Sequence, residues 1–275
     1  MMTSTAAVAG VPVPAEPDLV GKPAGFVRDL VSVSGRSLRQ VLREPETLVP
    51  PMLIPLFFFT VFVGALEKVG NIGGTADFRA FQFPVAIVIA STGTTRATSL
   101  VNDINNGYFD RLLIAPTNRL SLLLGLMVAD LVTVVMLCVP TVILGFILGV
   151  GFASGPLGVV VFIAIAALWG LAFAGLPYAI ALRSGNATVV AQSSLLFFPF
   201  VFLTTTLMPL DRLSGWLSAA AHVNPVTYLL DALRSLLTDG WNAEKLLVGV
   251  GVVCAVAAVT FSIALLALRS RVSRS

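Results

Sequence analysis

The stretch LSLLLGLMVADLVTVVMLCVPTVILGFILG, residues 120–149, contains a single ionisable carboxylate, Asp130, in an otherwise apolar run. A helix needs about 20 apolar residues to cross the roughly 30 Å hydrocarbon layer of a bilayer. This run is longer than that, so we expect a membrane-spanning helix that is tilted or extends beyond the bilayer. Asp130 falls about ten residues into it, roughly 15 Å from its start. A carboxyl group at that depth should face protein or water and have a partner.

Five further apolar runs lie on either side of this one. The six predicted spans cover residues 48–66, 81–101, 120–149, 157–182, 189–210 and 245–268. Runs of this length and composition are typical of transmembrane helices. The sequence therefore predicts an all-α integral membrane protein with six transmembrane helices.

The composition agrees with a membrane protein and excludes several other classes. Hydrophobic residues make up 57% of the 275 and charged residues 11%, whereas a soluble domain carries about 25% charged residues. Cys138 and Cys254 lie inside apolar runs, and His222 is the only histidine. With no Cys/His cluster, the sequence predicts no metal site and no haem site.

The distribution of lysine and arginine predicts the orientation in the membrane. If the N-terminus is inside, the cytoplasmic segments carry eleven basic residues: Lys22, Arg28, Arg36, Arg39, Arg43, Arg111, Arg119, Arg183, Arg269, Arg271 and Arg274. The external segments carry five: Lys68, Arg79, Arg212, Arg234 and Lys245. Because cytoplasmic loops collect Lys and Arg, we expect both termini in the cytoplasm. Arg96 lies within the second predicted span.

Two elements precede the first span. Residues 1–23 are rich in Ala, Val and Pro without an apolar core, which predicts a disordered cytoplasmic tail ahead of a six-span domain at 24–275. Residues 26–43 form an amphipathic helix on a wheel of about 100° per residue, with an apolar half and an arginine-rich half. That pattern favours a helix lying in the membrane interface. The alternative is an amphipathic helix packed on protein.

The loop at 102–119, between the second and third spans, contains a pattern of its own. NNGYFDRLLIAP can form a short helix, with Gly107 near its start and Pro116 just past its end. A plain connection needs only a few residues. The loop is therefore interpreted either as a cytoplasmic docking surface or as a long connector.

Three blocks of sequence resemble one family, the type-2 ABC exporter permeases, and in particular its daunorubicin and multidrug-resistance branch. DINNGYFDRLLIAPTNRLSLLLGLMVAD is similar to the cytoplasmic loop and the start of the third span in that family. MPLDRLSGWLSAAAHVNPVTYLLDALR, residues 208–234, is similar to the external segment before the last span. RSLRQVLREPETLVPPMLIPLFFF resembles the elbow helix and first span of the drug-export branch.

The resemblance implies functional roles for the matching residues. The loop would be a coupling helix that docks on a separate ATPase, and its matching positions are Asp103, Gly107, Asp110, Arg111, Pro116 and Arg119. The segment at 211–244 would form external half-helices, with the matching positions Asn224, Pro225, Tyr228, Asp231 and Arg234. Helix 26–43 would be the elbow helix.

The resemblance also implies a function. Such permeases dimerise, pair with a nucleotide-binding ATPase subunit and move hydrophobic or amphiphilic drugs or lipids outward across a bacterial cytoplasmic membrane. This chain contains no G-x-x-x-x-G-K-[ST] phosphate-binding loop, so ATP and magnesium would bind the partner and this chain would be a permease without catalytic residues or a cofactor. Alternative functions are export of a polysaccharide or glycolipid, ion-coupled transport through Asp130, and intramembrane catalysis, for which neither G-x-S-x-G nor H-E-x-x-H is present.

Several residues inside the predicted helices have two interpretations each. Arg96 could reach Asp130 or extend to the cytoplasmic surface, and Asp130 is interpreted as a tether between helices rather than a substrate contact. Asp231 and Arg234 are one helical turn apart and could pair. The aromatic run at 197–202 could line a path for a lipid-like substrate or pack against lipid.

Overall fold

The computed structural model describes residues 25–43, 48–72, 77–92, 95–107, 119–193, 195 and 197–273. The α-helices in this part of the chain are α1 Phe26–Arg43, α2 Val49–Ile72, α3 Phe78–Thr92, α4 Ala97–Asn105, α5 Arg119–Ile147, α6 Gly155–Ser184, α7 Ala187–Ser193, α8 Phe197–Phe202, α9 Gly215–Val223, α10 Pro225–Thr238 and α11 Ala243–Val272. A 3₁₀ turn at Leu210–Arg212 precedes α9. The predicted all-helical class is confirmed over these residues.

Four helices in the described residues are long and apolar enough to cross a membrane. The candidate spans are Val49–Lys68 in α2, Leu123–Ile147 in α5, Gly155–Ser184 in α6 and Ala243–Arg271 in α11. In α5 and α6, 56% and 50% of the most apolar stretch is buried, against 11% in both α2 and α11. The two middle helices therefore form the centre of the bundle, and α2 and α11 leave most of their surface facing outward.

The predicted second span, 81–101, is divided into two helices. α3 ends at Thr92 and α4 begins at Ala97, and α3 alone is shorter than the about 20 residues that a span requires. Serine and threonine side chains around the break offer the backbone local hydrogen bonds that compete with helix continuation. Thr92 Oγ1 donates to the Val88 carbonyl at 2.7 Å, and Thr95 Oγ1 accepts from the Ala97 amide at 3.2 Å.

The helical part of the predicted fifth span, 189–210, ends early. The described residues form α7 and α8 in this region, and a turn over residues 203–208 follows α8. Thr204 Oγ1 donates to the Val201 carbonyl at 2.6 Å and lies 2.9 Å from Thr206 Oγ1, whose hydroxyl also donates to Val201. These threonine contacts, followed by Pro209, explain why the helix does not continue to residue 210.

Helix α1 packs along α5 with only part of its apolar half. Ser37 and Val41 are 3% and 0% exposed. At Gly125 of α5 an added Cβ would lie 2.8 Å from the Val33 Cβ, so the two helices approach closely only because this residue is glycine. The helix covers Phe26–Arg43, the range over which the sequence predicts an amphipathic helix. Val27 and Val31, from the same apolar half, remain 69% and 63% exposed.

Two apolar clusters form the core. The larger one joins α3, α5, α6, α10 and α11 around stacked aromatic rings, with Phe83 and Phe162 centroids 5.8 Å apart. The smaller one surrounds α4 with residues of α5, α6, α7 and α11, including the fully buried Leu100 and Tyr178. The break between α3 and α4 thus lies where one cluster gives way to the other.

Candidate functional site

The buried carboxylate of Asp130 lies against the break between α3 and α4. It is 2% exposed. Its Oδ1 accepts a hydrogen bond from the backbone amide of Arg96 at 2.8 Å, and its Oδ2 accepts one from the Tyr178 hydroxyl at 2.6 Å. The sequence predicts a partner for Asp130 and offers the Arg96 side chain as one possibility. However, the group that bonds it is the main-chain amide of Arg96, and the hydroxyl of Tyr178 was not foreseen.

The contact from Arg96 has a clear physical origin. Arg96 is the N-terminal cap residue of α4, and the amides of the first helical turn have no partner within their own helix. A carboxylate near a helix N-terminus also interacts favourably with the helix dipole. Asp130 therefore supplies from α5 the hydrogen-bond acceptor that the interrupted helix lacks. In a membrane interior, a backbone amide without such an acceptor would cost several kcal/mol.

Helix α6 stabilises both sides of the same break. On one side the Trp169 indole donates to Thr92 Oγ1 at 2.9 Å, at the last residue of α3. On the other side Tyr178 bonds Asp130, which bonds the start of α4. Trp169 and Tyr178 are 2% and 0% exposed. The central helix therefore fixes the end of α3 and, through Asp130, the beginning of α4.

Helix α4 leads directly to the loop that the sequence predicts to be the coupling element. Near its end, Asp103 Oδ2 lies 2.6 Å from the guanidinium of Arg36 in α1. The structure thus pairs Asp103 with α1, the predicted elbow helix.

Gly107 ends α4. Its φ is 67°, in the left-handed region that glycine adopts readily, and its amide donates to the Ile104 carbonyl at 3.1 Å. Among the described residues an added Cβ would meet no atom within 4 Å, so the left-handed backbone conformation is the observed reason for glycine here. Gly107 thus lies just past the end of α4, and the short helix that the sequence predicts after it lies outside the described residues.

Of the remaining predicted coupling residues, the structure describes only Arg119. Asp110, Arg111 and Pro116 lie outside the described residues, and Arg119 is the first residue of α5. Their predicted role in docking an ATPase therefore stays a prediction.

At the opposite end of the bundle, Asn224 joins the fifth-span region to α10. Its Oδ1 accepts from the Val226 amide at 3.0 Å and so caps α10, in which Pro225 is the first residue. Its Nδ2 donates to the carbonyls of Phe200 and Leu203 at 2.7 and 3.1 Å. The Asn224 side chain thus provides hydrogen-bond partners for a backbone amide at the start of α10 and for two backbone carbonyls near the end of α8.

Arg234 connects three elements through its guanidinium group. Nε donates to the Phe81 carbonyl of α3 at 3.0 Å, Nη1 to Thr205 Oγ1 at 2.7 Å and Nη2 to the Thr205 carbonyl at 2.7 Å. The guanidinium also lies 3.6 Å from the centroid of the Phe81 ring, a cation–π contact. The predicted pairing with Asp231 is present, with the two charged groups 3.7 Å apart. Its contacts with Phe81 and Thr205 are shorter, and the sequence did not indicate them.

The other external residues complete this end of the structure. The Tyr228 hydroxyl donates to the His222 carbonyl at 2.7 Å and so joins α10 to α9. Burial raises the pKa of Asp231, and the positive charges of Arg234 and Lys245 oppose the shift. A cavity of about 810 Å³ opens beside Asp231 and Arg234, between the starts of α3 and α11 and the 3₁₀ turn. The predicted external segment is thus a pair of short helices bound to the bundle by Asn224 and Arg234.

A second, apolar cavity lies between α2, α3 and α8. Its volume is about 200 Å³, and its lining consists of Pro50, Pro51, Ile54, Pro55, Ile89, Thr92, Leu195, Phe197, Phe198 and Val201. The Thr92 hydroxyl is already engaged by Val88 and Trp169. The cavity therefore offers an almost wholly apolar surface, and it includes two of the phenylalanines that the sequence proposed for a substrate path.

These features define a class of protein: an integral membrane protein in which a bundle of apolar helices surrounds an interrupted helix. The family model for ABC-2 type transporters matches residues 28–238. The chain belongs to the ABC-2 type transporter family.

Curated relatives resemble the chain over most of its length. A probable doxorubicin resistance ABC transporter permease protein of Mycobacterium tuberculosis is 25% identical over 245 residues, which cover 84% of this chain and 87% of that protein. A daunorubicin resistance ABC transporter permease protein of Streptomyces coeruleorubidus is 28% identical over 237 residues, which cover 82% of each chain. The suspected family and its drug-resistance branch are thereby confirmed.

Proposed function

We propose that this chain is the permease subunit of an ATP-driven ABC exporter and that a separate ATPase subunit supplies the energy. ATP and magnesium bind that partner, and this chain contributes the transmembrane path without a cofactor of its own. Family membership supports the proposal, as does the lack of a phosphate-binding loop in the sequence.

The observation that carries the proposal is the connection between the loop and the centre of the bundle. α4 is only nine residues long. At its start, Asp130 bonds the Arg96 amide, and at its end Gly107 turns the chain into the loop. A displacement of the docked loop would therefore reach α5 and α6 through a short, hydrogen-bonded helix.

In the proposed topology, α3 with α4 and α7 with α8 act as the second and fifth of six spans, beside the four long helices. Both termini face the cytoplasm of a bacterial cell, as the excess of basic residues on that side supports. Two copies, or this chain and a homologue, form a dimer around the path. The small buried fraction of α2 and α11, 11% in each, is consistent with contact to lipid and to a second permease.

The proposed substrate is a hydrophobic or amphiphilic drug or a lipid. Relatives named for doxorubicin and daunorubicin resistance support this class. The apolar cavity between α2, α3 and α8 offers a surface of suitable chemistry.

The test is transport by the reconstituted complex. The chain is co-expressed with its candidate ATPase, purified and placed in proteoliposomes, and ATP-dependent movement of doxorubicin, followed by its fluorescence, is measured. The control is the same complex with the ATPase Walker lysine substituted. We expect transport only with ATP and an intact ATPase.

Other outcomes identify the alternatives. Transport that follows an imposed ion gradient without the ATPase would contradict the proposal and favour an ion-coupled transporter. ATP-dependent release of a glycolipid without any drug transport would keep the ATPase partner but change the substrate class.

A further inference from the structure

The surface of α1 is divided into three strips along the helix. Leu30, Val33, Ser37 and Val41 face α5 and are half-buried or buried. At about 100° per residue, Val27, Val31 and Leu38 fall on the neighbouring strip, within about 40° of one another. Of these, Val27 and Val31 are 69% and 63% exposed. Packing against α5 thus leaves an apolar strip uncovered.

The third strip is basic. Arg28, Arg39 and Arg43 are exposed, and on the same wheel they lie within about 60° of one another, next to the apolar strip. Arg36 lies beside this strip on the wheel but is not counted in it, because its guanidinium pairs with Asp103. The helix carries one acidic residue, Asp29. α1 therefore presents three exposed arginines beside exposed valines.

The contact with α5 fixes the depth of these strips. Val33 of α1 packs on Gly125 of α5, and Gly125 lies two residues past Leu123, where the candidate span of α5 begins. α1 is therefore level with the end of a membrane-spanning stretch. At this depth an exposed apolar strip meets lipid chains, and the adjacent basic strip meets lipid head groups.

We propose that α1 is a binding surface for anionic phospholipid in the leaflet where α5 begins, which the basic-residue count assigns to the cytoplasmic side. Val27 and Val31 contact the acyl chains, and Arg28, Arg39 and Arg43 bind the phosphates. Guanidinium groups suit this partner because they bind phosphate oxygens in pairs. This surface is independent of the substrate and of the ATPase partner.

A lipid fits better than an acidic patch on another protein. The arginine strip is continuous with an exposed apolar strip, and both lie level with the beginning of a candidate span. Polybasic segments next to a membrane span attract anionic lipids, with roughly a fivefold gain in affinity for each Lys or Arg at low salt. The surface combines positive charge with an apolar area, and it therefore complements both the negative phosphate and the acyl chains of a phospholipid.

The experiment is a lipid titration of the purified full-length chain by native mass spectrometry, with phosphatidylglycerol as the anionic probe and phosphatidylcholine as the neutral one. Three triple variants are compared: R28Q/R39Q/R43Q, the charge-conserving R28K/R39K/R43K, and the matched control R183Q/R212Q/R269Q. The control removes three exposed arginines from other parts of the surface. Size-exclusion profiles and melting temperatures establish that all variants fold.

We expect R28Q/R39Q/R43Q to lose more than about tenfold in phosphatidylglycerol affinity at low salt, with no change for phosphatidylcholine. The lysine variant should keep most of the affinity, and high salt should weaken binding to the wild type because ions screen exposed charges. Equal affinity of the glutamine variant and the wild type would overturn the proposal, as would an equal loss in the control. If the glutamine variant instead loses only its ATPase partner, the arginines bind protein and the proposal is wrong.

Discussion

The Tyr178 hydroxyl and the Asp130 carboxylate, 2.6 Å apart, join the two central helices of the bundle at the point where the second predicted span is interrupted. The second oxygen of the same carboxylate bonds the Arg96 amide at the start of α4. Asp130 is thus shared between a neighbouring side chain and the backbone of a broken helix. Removing it affects α4, α5 and α6 together.

Asp130→Ala should impair folding or assembly more than substrate choice. The substitution removes the acceptor of both the Tyr178 hydroxyl and the Arg96 amide, at a cost of about 1–3 kcal/mol or more for each group. Thermal unfolding followed by size-exclusion fluorescence, together with co-purification of the ATPase, measures the effect. Asp130→Asn is the matched control, because its amide oxygen can still accept from Arg96. Normal membrane levels and a normal complex with an altered substrate range would show that Asp130 contacts substrate.

Gly107→Val should weaken ATPase binding, or leave ATP hydrolysis without transport, while the spans stay inserted. The φ of 67° at this residue costs a non-glycine residue about 1–2 kcal/mol, and more if it is β-branched. Gly107→Asn should be milder because asparagine tolerates this conformation. The control is Gly251→Val, where a Cβ meets no atom within 4 Å and φ is not positive. Equal transport by both valine variants would contradict the prediction.

Arg111→Ala should uncouple the permease from its ATPase. An arginine can donate several hydrogen bonds to a carboxylate or to carbonyl groups on a partner, and alanine can donate none from its side chain. Co-purification, ATPase rate and efflux from reconstituted vesicles are measured in parallel, with the exposed Arg183→Ala as control. If Arg111→Ala binds the ATPase and exports as the wild type does, the loop is only a connector.

Arg234→Lys should destabilise the external end of the bundle by about 2–3 kcal/mol, although the charge is conserved. A lysine cannot reproduce the fork that bonds the Phe81 carbonyl and both Thr205 oxygens. The melting temperature of the purified chain is the measurement, and Arg212→Lys, at an exposed arginine, is the control. Unchanged stability in Arg234→Lys would mean that charge alone matters at this position.

Labelling of single cysteines should show both chain termini on the cytoplasmic side. The background lacks Cys138 and Cys254, and cysteines are placed at Ser273, after α11, and at Ser214, before α9. A membrane-impermeant maleimide added outside should label position 214 and not 273. External labelling at 273 would reverse the topology inferred from the basic residues.

Hydrophobic runs and amphipathic periodicity predicted much of the fold. The bounds of α1 and the four long helices follow from patterns that local residues determine. The break inside 81–101 and the early helix end inside 189–210 were not predicted, because apolar runs of this length indicate continuous helices even where serine and threonine residues lie within them. Local threonine contacts accompany both helix ends, and contacts from distant residues, such as Trp169 with Thr92 and Arg234 with Thr205, then hold these ends in place.

The candidate site was predictable to a similar extent. An aspartate in the middle of an apolar run indicates a buried partner, and Asp130 has two. The sequence did not indicate that Tyr178 is one of these partners, because Tyr178 lies 48 residues away in an apolar helix. The only signal was its hydroxyl, which inside a membrane needs a partner of its own.

The shortness of α4 has a geometric consequence for energy transfer. Nine residues extend about 13 Å, and each residue turns the helix by about 100°. The number of residues in α4 therefore sets the angle, about the helix axis, between the chain that follows Gly107 and the Asp130 carboxylate. Residues 97–105 form one continuous helix, so a change in that angle at one end is carried to the other. Inserting or deleting one residue in this stretch should therefore rotate the chain after Gly107 by about 100° relative to Asp130, whereas a side-chain change that keeps the helix intact leaves this angle unchanged.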